Sequence, residues 1–187
     1  MGEKKHGVLA PLLGSAVFFC VAPGVVAGVA PGAIASWQIG PPLLGLGVFR
    51  VVGVMLIIVG VGGLLDSTAR FVLQGHGTPA PLASPSTLVV SGLYRHVRNP
   101  MYVAIVAAIL GQAMLFGSIQ VLGYTCVVWC FFHFFVIAYE EPTLQWQFGE
   151  NYGAYRACVR RWWPRIKPWN PAEARNLEVS GHRTTWR

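Results

Sequence analysis

Charge is scarce in this chain. Only 11% of its 187 residues are Asp, Glu, Lys or Arg, against roughly 25% in an ordinary soluble domain. The apolar share reaches 54%, with a mean hydropathy of +0.52. That excess is too large for a soluble core of this length and points to an integral membrane protein. Acidic side chains are rarer still, 7 against 14 Lys and Arg. Cysteine is also sparse: Cys20, Cys126 and Cys130 fall in apolar stretches and Cys158 in a basic segment. That pattern excludes a disulfide framework. Cys126 and Cys130 stand one helical turn apart with His133 nearby, but a metal centre wants more ligands and hydrogen-bonded supporting partners. No metal is expected.

What is present is apolar sequence in long runs. A bilayer core takes about 20 apolar residues per helix. Four spans fit: residues 8–37, 41–65, 101–116 and 118–139. The third is short, and only Gly117 and Ser118 separate it from the fourth, so these two form a tight antiparallel hairpin. The expected architecture is an all-α, four-helix transmembrane bundle with a cytoplasmic loop and an interfacial C-terminal helix. Residues 1–169 read as one domain and 170–187 as a polar, disordered tail.

The charges obey this map. All Lys and Arg except Arg50 precede the first span, lie between the second and third, or follow the fourth. The loop 32–42 and the Gly117-Ser118 turn carry none. The positive-inside rule then places both termini and the long middle loop in the cytoplasm. The net charge of +7 marks topology and contact with anionic headgroups, and nucleic-acid binding is not expected. Lys4-Lys5 and Ala33-Ile34-Ala35 resemble parts of a signal peptide. The apolar stretch between them is roughly twice the usual length, so cleavage is not expected.

Gly24, Gly28, Gly32 and Ser36 recur every four residues on span one, a row that lets another helix approach closely within the monomer or in a homo-oligomer. Pro23 and Pro31 predict kinks or an early end to that helix. Arg50 is the one charge inside a span, placed to snorkel to the outer headgroups or, as an intramembrane charge, to serve function. Span two is expected to continue as a helix to Gln74, with Gly75 as a stop. The Pro-rich segment 77–86 follows as a non-helical loop, suited to binding or to acting as a lid. Residues 143–163 read as an amphipathic helix on the cytoplasmic membrane surface, with Gly149 or Gly153 as a break and Pro164 as its end.

Two polar clusters stand out against this background. Residues 92–102 read Gly-Leu-Tyr-Arg-His-Val-Arg-Asn-Pro-Met-Tyr, and Glu140-Glu141 comes about forty residues later. At its plainest, Asn99-Pro100 is an N-cap and first turn, Arg95 and Arg98 meet lipid phosphates, and the two carboxylates mark a wet helix end. Carboxylates at a helix C-terminus oppose the macrodipole, however. The start of span three offers free N–H groups to a carboxylate, while Glu140 and Glu141 suit an ammonium or a ribose diol. The hairpin brings both ends to one membrane face. S-adenosylmethionine carries all the matching groups.

Gly92-Leu93-Tyr94, Arg98-Asn99-Pro100-Met101-Tyr102, Glu140-Glu141 and Phe148-Gly149-Glu150-Asn151-Tyr152, in that order, resemble the isoprenylcysteine carboxyl methyltransferase and phospholipid methyltransferase group of integral membrane enzymes. The resemblance covers residues 78–164. It implies a cytoplasmic S-adenosylmethionine pocket closed by the C-terminal segment. By position, Thr87, Leu88, Val89, Tyr94, Asn99, Pro100, Met101 and Tyr102 match its cofactor-lining residues, and Glu140 and Glu141 its paired acids. In the prenylcysteine branch the position of Glu140 lies at the acceptor site. Two departures stand out: Asn99 replaces the family's His and cannot become cationic. Val136 stands where the prenylcysteine enzymes carry an arginine, with His133 a candidate substitute.

The reaction implied is methyl transfer to a lipophilic or small acceptor (a thiol, amine or carboxylate) in a dry pocket that positions the reactants. Glu140 is the candidate to orient the acceptor or take its proton. The rival classes are a small four-span transporter, which would want an ionisable residue at mid-membrane, and a non-catalytic scaffold built on the span-one glycines.

Overall fold

The computed structural model describes the backbone of residues 21–74 and 88–170 and the side chains of all of these but 71–74. Residues 8–20 of the first expected span, Gly75, the Pro-rich segment, Thr87 and the tail beyond Asn170 lie outside the described residues. Every regular element among those described is helical. The order is α1 (Val21–Ile34), α2 (Val48–Gln74), α3 (Pro100–Phe116), α4 (Ile119–Phe135) and α5 (Glu141–Cys158), with single 3-10 turns at Leu43–Gly45 and Gly92–Arg95. Two helical stretches, Val48–Arg70 and Ile119–Cys158, are long and apolar enough to cross a membrane, whereas α1 and α3 are shorter apolar helices.

The first helix ends at Ile34, earlier than Trp37. Its middle is a π-helical turn, Val25–Val29. Such a turn weakens the regular ladder and lets side chains reach its carbonyls. Here Tyr124 of α4 donates to the Val26 carbonyl at 3.1 Å, and Gln112 of α3 donates to that of Ala27. Among the described residues, the span-one glycine row does not form a close helix–helix seam. Gly24 and Gly28 face open space, Gly32 is covered by Trp37, and Ser36 lies past the helix end with a φ of 52°.

Close backbone approach occurs instead between α2 and α3. A Cβ on Gly53 would lie 2.6 Å from the Gly111 carbonyl oxygen, and one on Gly60 would lie 2.7 Å from that of Ala104. Small residues on both helices permit this contact, which dispersion and backbone packing hold without any charge. The opposite face of α2 points outward: Met55, Ile58 and Val59 are 62%, 64% and 67% exposed. A contiguous face of that kind needs an apolar surrounding. The second helix starts at Val48 rather than Pro41, because Leu44 and Gly45 take positive φ and turn the chain first. Arg50 donates at 2.6 Å to the Gly40 carbonyl, and Gly40 N–H donates to the Phe116 carbonyl. This charge therefore holds the α1–α2 loop onto α2, and the Gly40 N–H ties that loop to the end of α3.

The α3–α4 hairpin is as tight as expected. Gly117 takes the left-handed conformation that closes α3, and Ser118 Oγ caps α4 by accepting from Val121 N–H. Beyond it the structure corrects the sequence argument. The fourth helix does not end at the carboxylates. It passes through a second π-helical turn, Val136–Glu140, directly into α5. Glu141 therefore sits inside a continuous helical stretch, Ile119–Cys158, away from the C-terminal dipole end that would oppose a carboxylate. Pro142 beside it lacks an N–H, and the π turn accommodates that loss.

Candidate active site

Three segments meet where α3 begins: the turn 88–99, the α4–α5 junction, and an extended strap, residues 159–170. The strap runs back antiparallel along the turn. Arg98 N–H donates to the Arg160 carbonyl, Arg165 N–H to that of His96, and Trp169 N–H to that of Arg95, each at 2.9 Å. His96 Nδ1 faces the Arg165 carbonyl oxygen at 2.7 Å. Non-helical backbone beside apolar helices must be satisfied inside the protein, and these bonds do so.

The amphipathic pattern of 143–163 packs inward. Tyr152, Tyr155 and Val159 are nearly fully buried and form a small core with Trp169, against which Leu88, Val90, Leu144 and Phe148 pack. The helix stops at Cys158 and is kinked at Gly149, whose φ is 51°. Trp162 belongs to the strap, and its indole N–H donates to His133 Nδ1 at 3.1 Å, with the Trp129 ring tilted against it at 4.6 Å between centroids. His133 is thus a hydrogen-bonded packing residue that holds the strap.

The paired acids lie together but have different partners. Glu140 Oε2 accepts from the Tyr102 hydroxyl at 2.9 Å, and the Tyr102 ring stacks on Phe132. One residue on, both oxygens of Glu141 are engaged. Arg161 donates to them at 2.6 and 2.8 Å, Arg98 approaches at 3.0 Å and Arg156 at 3.9 Å. A forked guanidinium–carboxylate pair of this kind is both strong and directional. Arg98 also donates to the Tyr152 hydroxyl, and its side chain is only 9% exposed with Nε lacking a partner.

The two carboxylates lie just beyond the apolar stretch that ends at Tyr139, and their proton affinities diverge. Burial raises the pKa of Glu140, the neighbouring Glu141 charge adds to this, and the Tyr102 bond and Arg98 oppose it without prevailing. Burial also acts to raise Glu141, but the Arg161 bond and the charges of Arg98, Arg161 and Arg156 outweigh it and hold that pKa below the ordinary value. Divergent pairs of this kind separate a proton-accepting group from a permanently ionised one.

The remaining sequence candidates surround these groups. Val89, Asn99, Pro100 and Met101 are buried. Leu88 packs on the small core. Tyr94 gives its carbonyl to the Tyr155 hydroxyl, and burial, reinforced by the Glu140 charge, pushes its phenol pKa well up. Asn99 begins α3 without capping it through its side chain, and its amide donates instead to the Arg161 carbonyl at 3.3 Å. Arg161 and Trp162 are not among the sequence candidates for the site, and Tyr152 enters the sequence reading only through the Phe148–Tyr152 motif. The Arg160-Arg161-Trp162-Trp163 run was the available signal, but helical spacing placed it on a helix face rather than in a strap. A separate cleft of about 560 Å³ lies between α2 and the turn, lined by Val59, Gly62, Gly63, Asp66, Arg70, Leu93, Arg95 and His96 among others. Tyr102 and Glu140 are not part of its lining.

The family model described as phospholipid methyltransferase matches residues 48–151, which includes α2, α3, α4 and both acids. A protein-S-isoprenylcysteine O-methyltransferase of Xenopus laevis is 31% identical over 147 residues, covering 72% of this chain and 50% of its own length. One from Schizosaccharomyces pombe is 38% identical over 73 residues, 38% of this chain and 30% of its own. The chain thus spans half or less of the length of these curated relatives. No solved structure matches it. With the matched region holding the helices and the paired acids alike, the chain belongs to the phospholipid methyltransferase family.

Proposed function

We propose that this chain is a membrane methyltransferase that uses S-adenosylmethionine, with its site at the meeting of turn, junction and strap. The observation that carries this reading is the pairing of Tyr102 with Glu140 beside a fully engaged Glu141, under a strap tied to the start of α3. Membership of a methyltransferase family implies a methyl donor. The residues present fit one with a carboxylate, because Arg98 keeps a buried Nε without a partner, and buried polar atoms are normally satisfied. Leu88, Val89, Tyr94, Asn99, Pro100, Met101, Tyr102, Glu140 and Glu141, with Thr87, are the residues assigned to hold it. When bound, S-adenosylmethionine supplies an electrophilic methyl group on a sulfonium.

The protein's own part is positioning, water exclusion and proton handling. Glu140, with its raised proton affinity, is placed to take a proton from an amine or thiol acceptor, and Tyr102 fixes the carboxylate's direction. Glu141 stays ionised and positions the strap through Arg161. The acceptor is a small molecule or a lipid, entering between helices. Val136, at the position of the prenylcysteine branch's arginine, is completely buried (0% exposed). Space for a guanidinium is missing there, which favours a thiol or amine over a carboxylate acceptor.

In this reading residues 1–169 form one four-span domain, α1 to α4 with the residues preceding α1, whose termini and site face the cytoplasm. Gly24 and Gly28, which meet no other described residue, are offered to a second copy of the chain. Calorimetry with S-adenosylmethionine on the detergent-purified chain tests the cofactor, and absence of a binding heat removes the proposal. The Glu140→Gln variant tests the chemistry: turnover with an amine or thiol acceptor at saturating S-adenosylmethionine should fall about a hundredfold or more. Full turnover in that variant would sink the role given to Glu140.

A further inference from the structure

The strap lies deeper than a cytoplasmic segment should. Trp162 packs its ring on Trp129 at 4.6 Å between centroids and donates to His133. Both partners are on α4, ten and six residues before Tyr139. At 1.5 Å rise per residue that is roughly 9–15 Å inside the end of the span. Phe131 and Phe134 share this level and point outward, 63% and 69% exposed. Next to Trp162, the strap turns two large apolar side chains away from the protein: Trp163 is 74% exposed and Ile166 100%. Arg160 and Lys167 are exposed around them, and no Asp or Glu occurs between Asn151 and Asn170. Apolar tips framed by cations without a compensating acid fit the boundary between acyl chains and anionic headgroups.

The geometry points to residues 160–167 as a wedge that docks into an anionic lipid surface, so that bilayer charge controls closure of the Tyr102–Glu140 site. The coupling is direct in the chain. Arg160 gives its carbonyl to Arg98, and Arg161 holds Glu141, so a docked wedge keeps both ties in place. The partner is the lipid surface itself, and each cation near it contributes to docking. This inference rests on the proposed placement of α4 in the membrane, and the test separates the two.

The full chain is reconstituted in nanodiscs of phosphatidylcholine alone or of phosphatidylcholine with phosphatidylglycerol, each containing acyl-brominated lipid. Phe131→Trp adds a fluorophore on α4, and Trp163→Phe removes one from the strap. Expected are a gain of bromolipid quenching in Phe131→Trp and a loss in Trp163→Phe, the latter larger with phosphatidylglycerol. Quenched Phe131→Trp together with unchanged quenching in Trp163→Phe overturns the wedge while leaving α4 in the membrane. Unquenched Phe131→Trp overturns the placement of α4 and the wedge with it. Amide exchange at Arg165 and Trp169 reads closure. It should slow on adding phosphatidylglycerol, and Arg160→Gln and Lys167→Gln should each speed it about fivefold there. Equal exchange in both lipids overturns control by membrane charge.

Discussion

Helix α3 is gripped from two sides by contacts of opposite kind. Against α2 the grip is apolar and close, with glycine backbones almost touching at Gly53–Gly111 and Gly60–Ala104. At its N-terminal end the grip is polar: the strap bonds the residues just before α3, and Glu141 gathers Arg98 and Arg161. The difference teaches where the molecule is permanent and where it is switchable. Packing without charge does not respond to pH or salt. A carboxylate shared by two arginines responds to both, and it sits at the candidate site.

The strongest way to break this division is to remove the carboxylate. Glu141→Ala leaves Arg98 buried without its counter-charge and should weaken strap closure by about 3 kcal/mol. Amide exchange at Arg165 and Trp169 should accelerate accordingly, while the α2–α3 amides stay protected. Overpacking the other grip comes next. Gly60→Val drives a side chain into the Ala104 and Ala108 backbone and should cost about 2 kcal/mol, lowering the melting temperature in detergent. Release of the strap before global melting in that variant would contradict the division.

Acid should sharpen the contrast. The Glu141 pKa is lowered in the folded chain, so its contribution is complete above the ordinary value of 4.5 and fades as pH falls through the lower folded value. Strap exchange should therefore rise in acid before the α2–α3 contact responds, and Glu141→Gln should abolish that pH dependence. The smallest effect is expected from Trp162→Phe. It deletes the bond to His133 while keeping an aromatic ring against Trp129, for about 1 kcal/mol, read as a modest increase in strap exchange.

The apolar grip was only partly legible in the sequence. Helices α2, α3 and α4 were visible as apolar runs, but the small-residue contact was sought on span one and is found between α2 and α3. Spacing marks which glycines share a face and says nothing of which helix arrives there. The polar grip was legible in its two ends and not in its closure. Asn99, Tyr102, Glu140 and Glu141 were located by their incongruity among apolar neighbours. Arg161 was missed because its partner is 20 residues away across a helix end. The two carboxylates were read as a helix end, yet the π-helical turn absorbs the N–H that Pro142 lacks and the helix continues. The change of partner for Asn99, from its own helix to the strap, follows from the same unseen segment.

The strap's bonds also impose a schedule on synthesis. Trp169 and Arg95 meet across 74 positions of sequence, a separation far longer than the α3–α4 hairpin, which closes over two residues. A nascent chain can insert its helices as they emerge, since folding proceeds from the N-terminal side. Yet the bonds that tie the strap to residues 95–98 cannot all form until residue 169 has left the ribosome. Premature termination anywhere between α5 and that point would yield a chain with its apolar helices but without the strap's bonds to the start of α3.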